Sequence, residues 1–456
     1  MQINETLKIE DLKPQIERLF EYSGQKILDI EDTWQPEHGT PVFTVAGTYT
    51  TRGWTEWTQG FQFGSAILQF DATGDDQFLE IGRKNTIEKM APHVTHIGVH
   101  DHGFNNVSTY GNLRRLMREG VISWDDNEKH FYELALKASA AVQASRWTQI
   151  KDGTGYIASF NGPHSLFSDT IRSLRVLALG HTLGAVLMGE GDVAINLLER
   201  LIQHSQTTAE YNVYYGEGRD AFDIRGRVVH ESIFNTNDGN YRCPSTQQGY
   251  SPFTTWTRGL AWIIAGYAEQ LEFFDTLSED DLEPYGGKTG AIAHMRKAAE
   301  ATADFYIENT AQDGIPYWDT GAPGLSKLGD YFAVPADPYN DYEPVDSSAA
   351  AIAAQGLIRL GNYLKQNDEV GTGNTYYQAG LTVAKTLFAE PYLSTSNSHQ
   401  GLLLHSVYHR PNGWDYVPED RNIPCGEASM WGDYHARELA LLLLREIAGK
   451  PYLTFF

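Results

Sequence analysis

Apolar residues recur with the helical period from one end of the chain to the other, and this repeat limits the fold more than any other feature. Candidate helices begin near residues 8, 57, 75, 108, 129, 169, 190, 255, 289, 346, 374 and 431. Most are separated by connections containing Gly, Pro or Asn, the residues that stop helices. There is no βαβ alternation, no low-complexity tract and no linker. The intervals 207–254, 310–345 and 389–430 lack the helical period and are rich in Tyr, Asp, Asn, Pro and Gly, as hairpins and functional loops are. Roughly twelve helices can pair as six antiparallel hairpins and close into a ring. The expectation is an all-α fold, an (α/α)6 barrel, with residues 1–456 forming one catalytic domain. Inner helices crowd an axis and need small side chains. The run Asp346-Ser347-Ser348-Ala349-Ala350-Ala351-Ile352-Ala353-Ala354 suits that place. An Ala-rich helix of an ordinary bundle is the alternative.

The chain carries 35 basic and 59 acidic residues, a net charge of −24. Such a surface repels phosphate backbones, which argues against nucleic acid as a partner. It also repels acidic sugars, so an enzyme for them must concentrate positive charge inside its pocket. Cys243 and Cys425 stand alone, which excludes a disulfide scaffold and a cysteine-based zinc site. No apolar run is long enough to span a membrane. The start, MQINETLKIEDLKPQIERLF, reads as an amphipathic helix rather than a secretory signal. A cytoplasmic location is the expectation, although an already processed chain would look the same.

Three segments hold candidate chemistry. In Val99-His100-Asp101-His102-Gly103-Phe104, an aspartate ahead of a helix can point across a cavity mouth or simply cap the helix. His96, His100 and His102 around it have the residue types of metal ligands. Without an HExxH helix or a cysteine cluster that spacing is unspecific, and no metal is expected. In Ser165-Leu166-Phe167-Ser168-Asp169-Thr170-Ile171, Asp169 falls in the first turn of a helix. There it either serves chemistry or favourably meets the helix dipole. The dipole lowers the pKa whereas a general acid needs it raised; a dry aromatic pocket and the like charge of Asp101 act in the raising direction, and the sequence leaves the sum open. In Trp256-Thr257-Arg258-Gly259-Leu260-Ala261-Trp262, Arg258 and Trp262 share a helix face. That pair suits an acidic sugar, with the guanidinium forking its carboxylate and the indole covering its ring. A core Trp with a snorkelling Arg would look the same. His230, Gln247 and Gln248 lie in a polar loop upstream and offer hydroxyl recognition.

Taken in order, these segments resemble the unsaturated glucuronyl hydrolases of glycoside hydrolase family 88. Trp57-Thr58-Gln59-Gly60-Phe61 is similar to the family's W-T-x-G-F helix start, and Thr73-Gly74-Asp75 to the turn after it. His100-Asp101-x-Gly103-Phe104 is similar to its H-D-x-G-F motif, and Asp169 opens a helix where the family has its second aspartate. His230, Gln248-Gly249-Tyr250, Trp256-x-Arg258-Gly259-x-Ala261-Trp262, Asp346-Ser347-Ser348-Ala349 and Trp431-Gly432-Asp433-Tyr434 follow at family-like spacing. The resemblance implies an (α/α)6 barrel that hydrates the C4=C5 double bond left by lyases on a terminal uronate, releasing that sugar. It implies Asp169 as proton donor, with Asp101 orienting the substrate and tuning Asp169. It also implies Trp57, His100, Phe160, His230, Gln248, Arg258 and Trp262 as substrate-binding residues, an acidic oligosaccharide as partner, and no metal or organic cofactor.

The chain departs from the family in four places. Gly60-Phe61-Gln62 replaces G-F-W, Phe160 stands where the family often has Trp, and Gln247 where some members have His. Leu404-His405-Ser406-Val407 lacks the Lys-Glu-Gly pattern of sulfate-tolerant members. These changes surround the subsite for the next sugar and leave the two aspartates in place. The rival readings are an unsaturated rhamnogalacturonyl hydrolase of family 105, a polysaccharide lyase on an α/α toroid, an ordinary two-carboxylate glycosidase, and a non-catalytic sugar-binding protein.

Overall fold

The computed structural model describes residues 1–53, 56–451 and 455. Among them are twelve helices of ten or more residues. They are α1 (Lys13–Thr33), α2 (Gln59–Thr73), α3 (Asp76–Lys89), α4 (102–118), α5 (Asp126–Ser145) and α6 (170–182). After them come α7 (Leu197–Tyr211), α8 (Thr257–Phe274), α9 (Gly287–Glu308), α10 (Ser347–Gln366), α11 (Val370–Leu387) and α12 (Met430–Ile447). Helix α4 contains a π turn at Val107–Gly111, and α6 is interrupted at Leu174.

Three starts differ appreciably from the sequence reading, each for a local reason. The start near 8 moves to Lys13, where Pro14 suits the first turn. The start near 190 moves to Leu197, because the Asn196 side chain accepts the Leu198 and Glu199 N–H groups as a cap. The start near 108 moves back to His102, directly after Asp101.

Burial alternates along the chain. Helices α2, α4, α6, α8, α10 and α12 are buried nearly all round, whereas the odd-numbered helices keep a face in water. The buried ones pack in chain order, and α12 returns to α2 to close the ring. This is the expected (α/α)6 toroid. Small residues let the inner helices approach. A Cβ on Gly103 of α4 would lie 2.1 Å from the Ser173 carbonyl of α6, and one on Gly356 of α10 would lie 2.7 Å from the Ala265 nitrogen of α8. The 347–354 run sits wholly inside, as its composition requires.

The long intervals between helices are partly built. Strands β1 (Pro41–Val45) and β2 (Thr48–Thr51) form an antiparallel hairpin. Strands β3 (Ser165–Phe167), β4 (Glu231–Phe234) and β5 (Tyr241–Ser245) form an antiparallel sheet with β4 central. The interval 207–254 therefore contains structure, and β3 leads straight into Asp169. Asp433 of α12 holds the interval 389–430 by accepting the Leu402 and Leu403 N–H groups and the Tyr49 hydroxyl.

The ring axis is layered. Beneath one mouth lies an aromatic floor: Trp57 stacks on Trp431 at 5.0 Å, Phe104 meets Trp262 at 4.8 Å, and Trp262 meets His435 at 5.1 Å. Beneath the floor is an ion cluster, with Arg172 Nε 2.7 Å from Glu269 and its Nη2 3.0 Å from Glu438. No helix among the described residues is long and apolar enough to cross a membrane.

Candidate active site

The starts of α2, α4, α6 and α8 converge on a pocket of about 450 Å³ at the mouth of the ring. Trp57, His100, Asp101, Phe160, Asp169, Gln248, Arg258 and Trp262 all line it, although they come from positions 57 to 262 of the chain. His230 is buried behind the wall and is not on it.

Asp101 and Asp169 both occupy helix-start positions, where an aspartate ordinarily caps. Neither does so with its side chain. Asp75, Asp125 and Asp346, at the starts of α3, α5 and α10, each accept backbone N–H groups in the ordinary way. The two pocket aspartates instead turn toward His100. Its Nε2 lies 3.4 Å from Asp169 Oδ2 and 3.8 Å from Asp101 Oδ1. The second oxygen of Asp169 has no hydrogen-bond partner in the protein. The β3–β4 pairing fixes this end of α6, with the Ser168 N–H donating to the His230 carbonyl at 2.9 Å. Phe160 lies parallel to the His100 ring at 6.1 Å and forms an exposed edge of the pocket.

The electrostatics differ between the two carboxyls. Burial raises the Asp101 pKa, the His100 charge opposes that only in part, and the charge on Asp169 adds to the rise. Burial also pushes Asp169 up, but the hydrogen bond from His100 and the charge on His100 outweigh it, leaving its pKa below the usual value. Burial lowers the His100 pKa, yet the two aspartates more than reverse that, and it ends above 6.5. The balance that the sequence leaves open thus falls on the acidic side in the free protein. The cause is the buried His100 against its carboxylate, which outweighs the effect of burial. His230 is held down to about 4 by burial, so it is neutral. Its Nδ1 accepts the Gln247 N–H at 3.0 Å, which puts the proton on Nε2, a nitrogen without a protein partner.

Arg258 does not present an open fork. Its Nη1 donates to Asp346 at 2.9 Å and to the Val407 carbonyl, and its Nη2 to Gln248 at 2.9 Å and the Tyr408 carbonyl at 2.8 Å. All four terminal N–H groups are therefore used. Arg258 positions Gln248 and the 407–408 backbone, and the bidentate carboxylate grip expected from its residue type is unavailable. Trp262 is almost wholly buried and forms floor more than wall.

His100, Asp101 and Asp169 offer ligand atoms within 4.8 Å of one another, a spacing a metal ion could use. The histidine group near Asp101 that the sequence brought to notice is not the relevant set. His102 faces Ser139 and the His96 carbonyl instead.

Several pocket residues escaped the sequence reading. Glu56 lines the wall, its pKa raised by burial and by the charge of Asp101, with only partial relief from the Trp57 N–H and Arg52. Its one signal was adjacency to Trp57. Arg52, Tyr408, His409, Asn412 and Trp414 complete the rim. The last four lie in the 389–430 interval, whose length and composition marked a functional loop without saying which residues reach the pocket.

No family model matches the chain. An unsaturated glucuronyl hydrolase of Formosa agariphila is 25% identical over 385 residues, spanning 84% of this chain and 78% of the relative. An unsaturated glucuronyl hydrolase of Bacillus sp. strain GL1 is 26% identical over 410 residues, spanning 87% of this chain and 89% of the relative. In fold, the crystal structure of unsaturated glucuronyl hydrolase from Bacillus sp. GL1 superposes with a TM-score of 0.69 at 21% identity, covering 94% of this chain and 95% of that one. Toroid and pocket place the chain among the (α/α)6 glycoside hydrolases. Within that class the curated relatives to which the chain is similar are unsaturated glucuronyl hydrolases, the type its ordered motifs resemble.

Proposed function

We propose that the protein removes a terminal 4,5-unsaturated uronic acid from lyase-generated oligosaccharides by hydrating the C4=C5 double bond, with residues 1–456 acting as one catalytic domain. The single observation that carries the residue assignment is the pair of helix-start aspartates that do not cap and face one pocket around His100. In this reading Asp169 gives a proton to C4 while water adds at C5, and the Asp169 carboxylate recovers a proton from that water. The resulting hemiketal opens to a C5 ketone, and the hemiacetal this leaves at C1 collapses to an aldehyde and releases the next sugar with its hydroxyl.

Asp169 must hold a proton when the double bond arrives. In the free pocket the proton rests on His100, 3.4 Å away. An anionic uronate displaces water and adds a negative charge, and both effects push the Asp169 carboxyl up. Transfer from His100 to Asp169 then becomes favourable. Asp101 keeps His100 charged and orients substrate hydroxyls. Trp57 and Trp262 bound the ring, Gln248 supplies hydrogen bonds, His230 holds the Gln247 backbone from behind the wall, and Arg258 fixes Gln248.

The test follows the ultraviolet absorbance of the conjugated double bond with lyase-made disaccharides. The expected result is loss of absorbance. Gain of absorbance on intact polysaccharide would make the protein a lyase. Asp169→Asn is expected to lose about 10²- to 10⁴-fold in kcat, the usual worth of a general acid, with an unchanged melting temperature. An Asp169→Asn protein that consumes the disaccharide at full rate overturns the assignment.

A further inference from the structure

An acidic ligand entering a protein of net charge −24 needs a cation with hydrogen-bond donors to spare. Two arginines and no lysine line the pocket. Arg258 has spent its terminal N–H groups on Asp346, Gln248 and two carbonyls. Arg52 has not. Its Nη2 donates to the Trp414 carbonyl at 3.1 Å, and among the described residues no carboxylate hydrogen-bonds it, although Glu56 is near enough to feel its charge. Its guanidinium carbon lies 4.8 Å from the Phe43 ring, 5.1 Å from Trp414 and 5.9 Å from Tyr408. Aromatic faces hold a guanidinium in place while leaving the edges of its planar fork open to oxyanions.

Position says which part of the ligand Arg52 meets. Asp169, His100 and Trp262 form the buried end of the pocket, whereas Arg52 and Trp414 are exposed at the rim. The ring being hydrated must reach Asp169, so the rim faces the sugar that follows. We infer that Arg52 is a specificity-determining residue that binds an anionic substituent, sulfate or carboxylate, on the sugar next to the cleaved uronate. This rests on the proposed function, and it gives the substrate a further feature: a charged second sugar.

The experiment compares the wild type, Arg52→Gln and Arg52→Lys on three unsaturated disaccharides whose second sugar is neutral, sulfated or a uronate. Wild-type protein is expected to show a KM at least about tenfold lower for one anionic substrate than for the neutral one, as a charge-assisted fork provides. Arg52→Gln should abolish that preference with kcat within about twofold, and Arg52→Lys should restore part of it, since the charge returns without the fork. The preferred anion identifies the group. An equal KM for all three substrates in the wild type, or a preference that survives in Arg52→Gln, overturns the inference while leaving the hydrolase reading intact. If the wild type consumes none of the three, it is the proposed function that fails.

Discussion

Asp169 and Arg172 stand one turn apart on α6, and the protein treats their charges in opposite ways. Arg172 is fully buried and closed in, with carboxylates of α8 and α12 on either side. Arg175, a turn further, leans toward the same two glutamates at 4.0 and 3.6 Å. Asp169 is nearly as buried, yet one of its oxygens has no partner and faces a pocket. Both regions perturb acidity. Burial would raise Glu438, but Arg172 and Arg175 overwhelm it and hold that carboxyl near 2. Glu272 of α8 goes the other way, raised by burial to about 7 despite Arg359. A displaced pKa therefore does not by itself mark the reactive group here. What separates the two layers is where the charges face: the lower ones pair with one another inside the ring, and the upper ones lie under the opening. The aromatic floor keeps the layers apart.

That contrast can be broken by substitution. The largest expected effect is on stability, from Glu438→Gln, which leaves two buried arginines short of countercharge. Breaking a buried pair from one side costs about 3–5 kcal/mol, read as a lowered urea midpoint, and kcat per folded molecule should change less than threefold. Because the Glu438 pKa is depressed below its ordinary 4.5, its stabilising contribution is present above that value and is lost only as pH falls through about 2. The wild type and Glu438→Gln should therefore converge in stability only in strong acid. A variant that keeps its midpoint but loses activity would show that the two layers are not separate.

Next comes Asp101→Asn, expected to lower kcat about 10²-fold by removing one of the two charges that keep His100 protonated. Thermal stability should fall by less than 1 kcal/mol or rise, since an acid made costly by burial has been neutralised. A loss of several kcal/mol would instead class Asp101 with the closed cluster below. The smallest effect is a displacement along the pH axis. His100 has a raised pKa, so its charged contribution is complete below 6.5 and disappears as pH rises through the higher folded value. The alkaline limb of kcat/KM should therefore lie above pH 6.5 in the wild type and be displaced in His100→Asn. An unmoved limb would remove His100 from the proton path.

Much of the upper layer was legible in the sequence because its residues sit at helix starts, where local pattern is strongest. Asp101, Asp169 and Arg258 each lie within a few residues of a recognisable start, and their order along the chain matched a family. The lower layer was not legible. Arg172, Arg175, Glu269 and Glu438 read as ordinary charges on helical segments, and nothing local distinguishes a residue aimed at the axis of a ring from one aimed at water. Glu56 and Arg52 were hidden for a similar reason: they come from the connection ahead of α2, whose path across the mouth depends on contacts with residues more than 350 positions away, such as Trp414.

The sequence by itself determined roughly where twelve helices would form and that two aspartates would stand at helix starts, and it left a closed ring as the expectation beside an ordinary bundle. Those outcomes follow from period, capping chemistry and spacing, which act over a turn or two. Only the tertiary structure decided that neither aspartate caps, that Asp169 is the more acidic of the two, and that Arg258 is occupied while Arg52 is open. Each of these depends on which group lies within about 4 Å, and at that distance burial and Coulomb forces change by several kcal/mol over a shift of an ångström or two. No arrangement of neighbours in the chain fixes such distances.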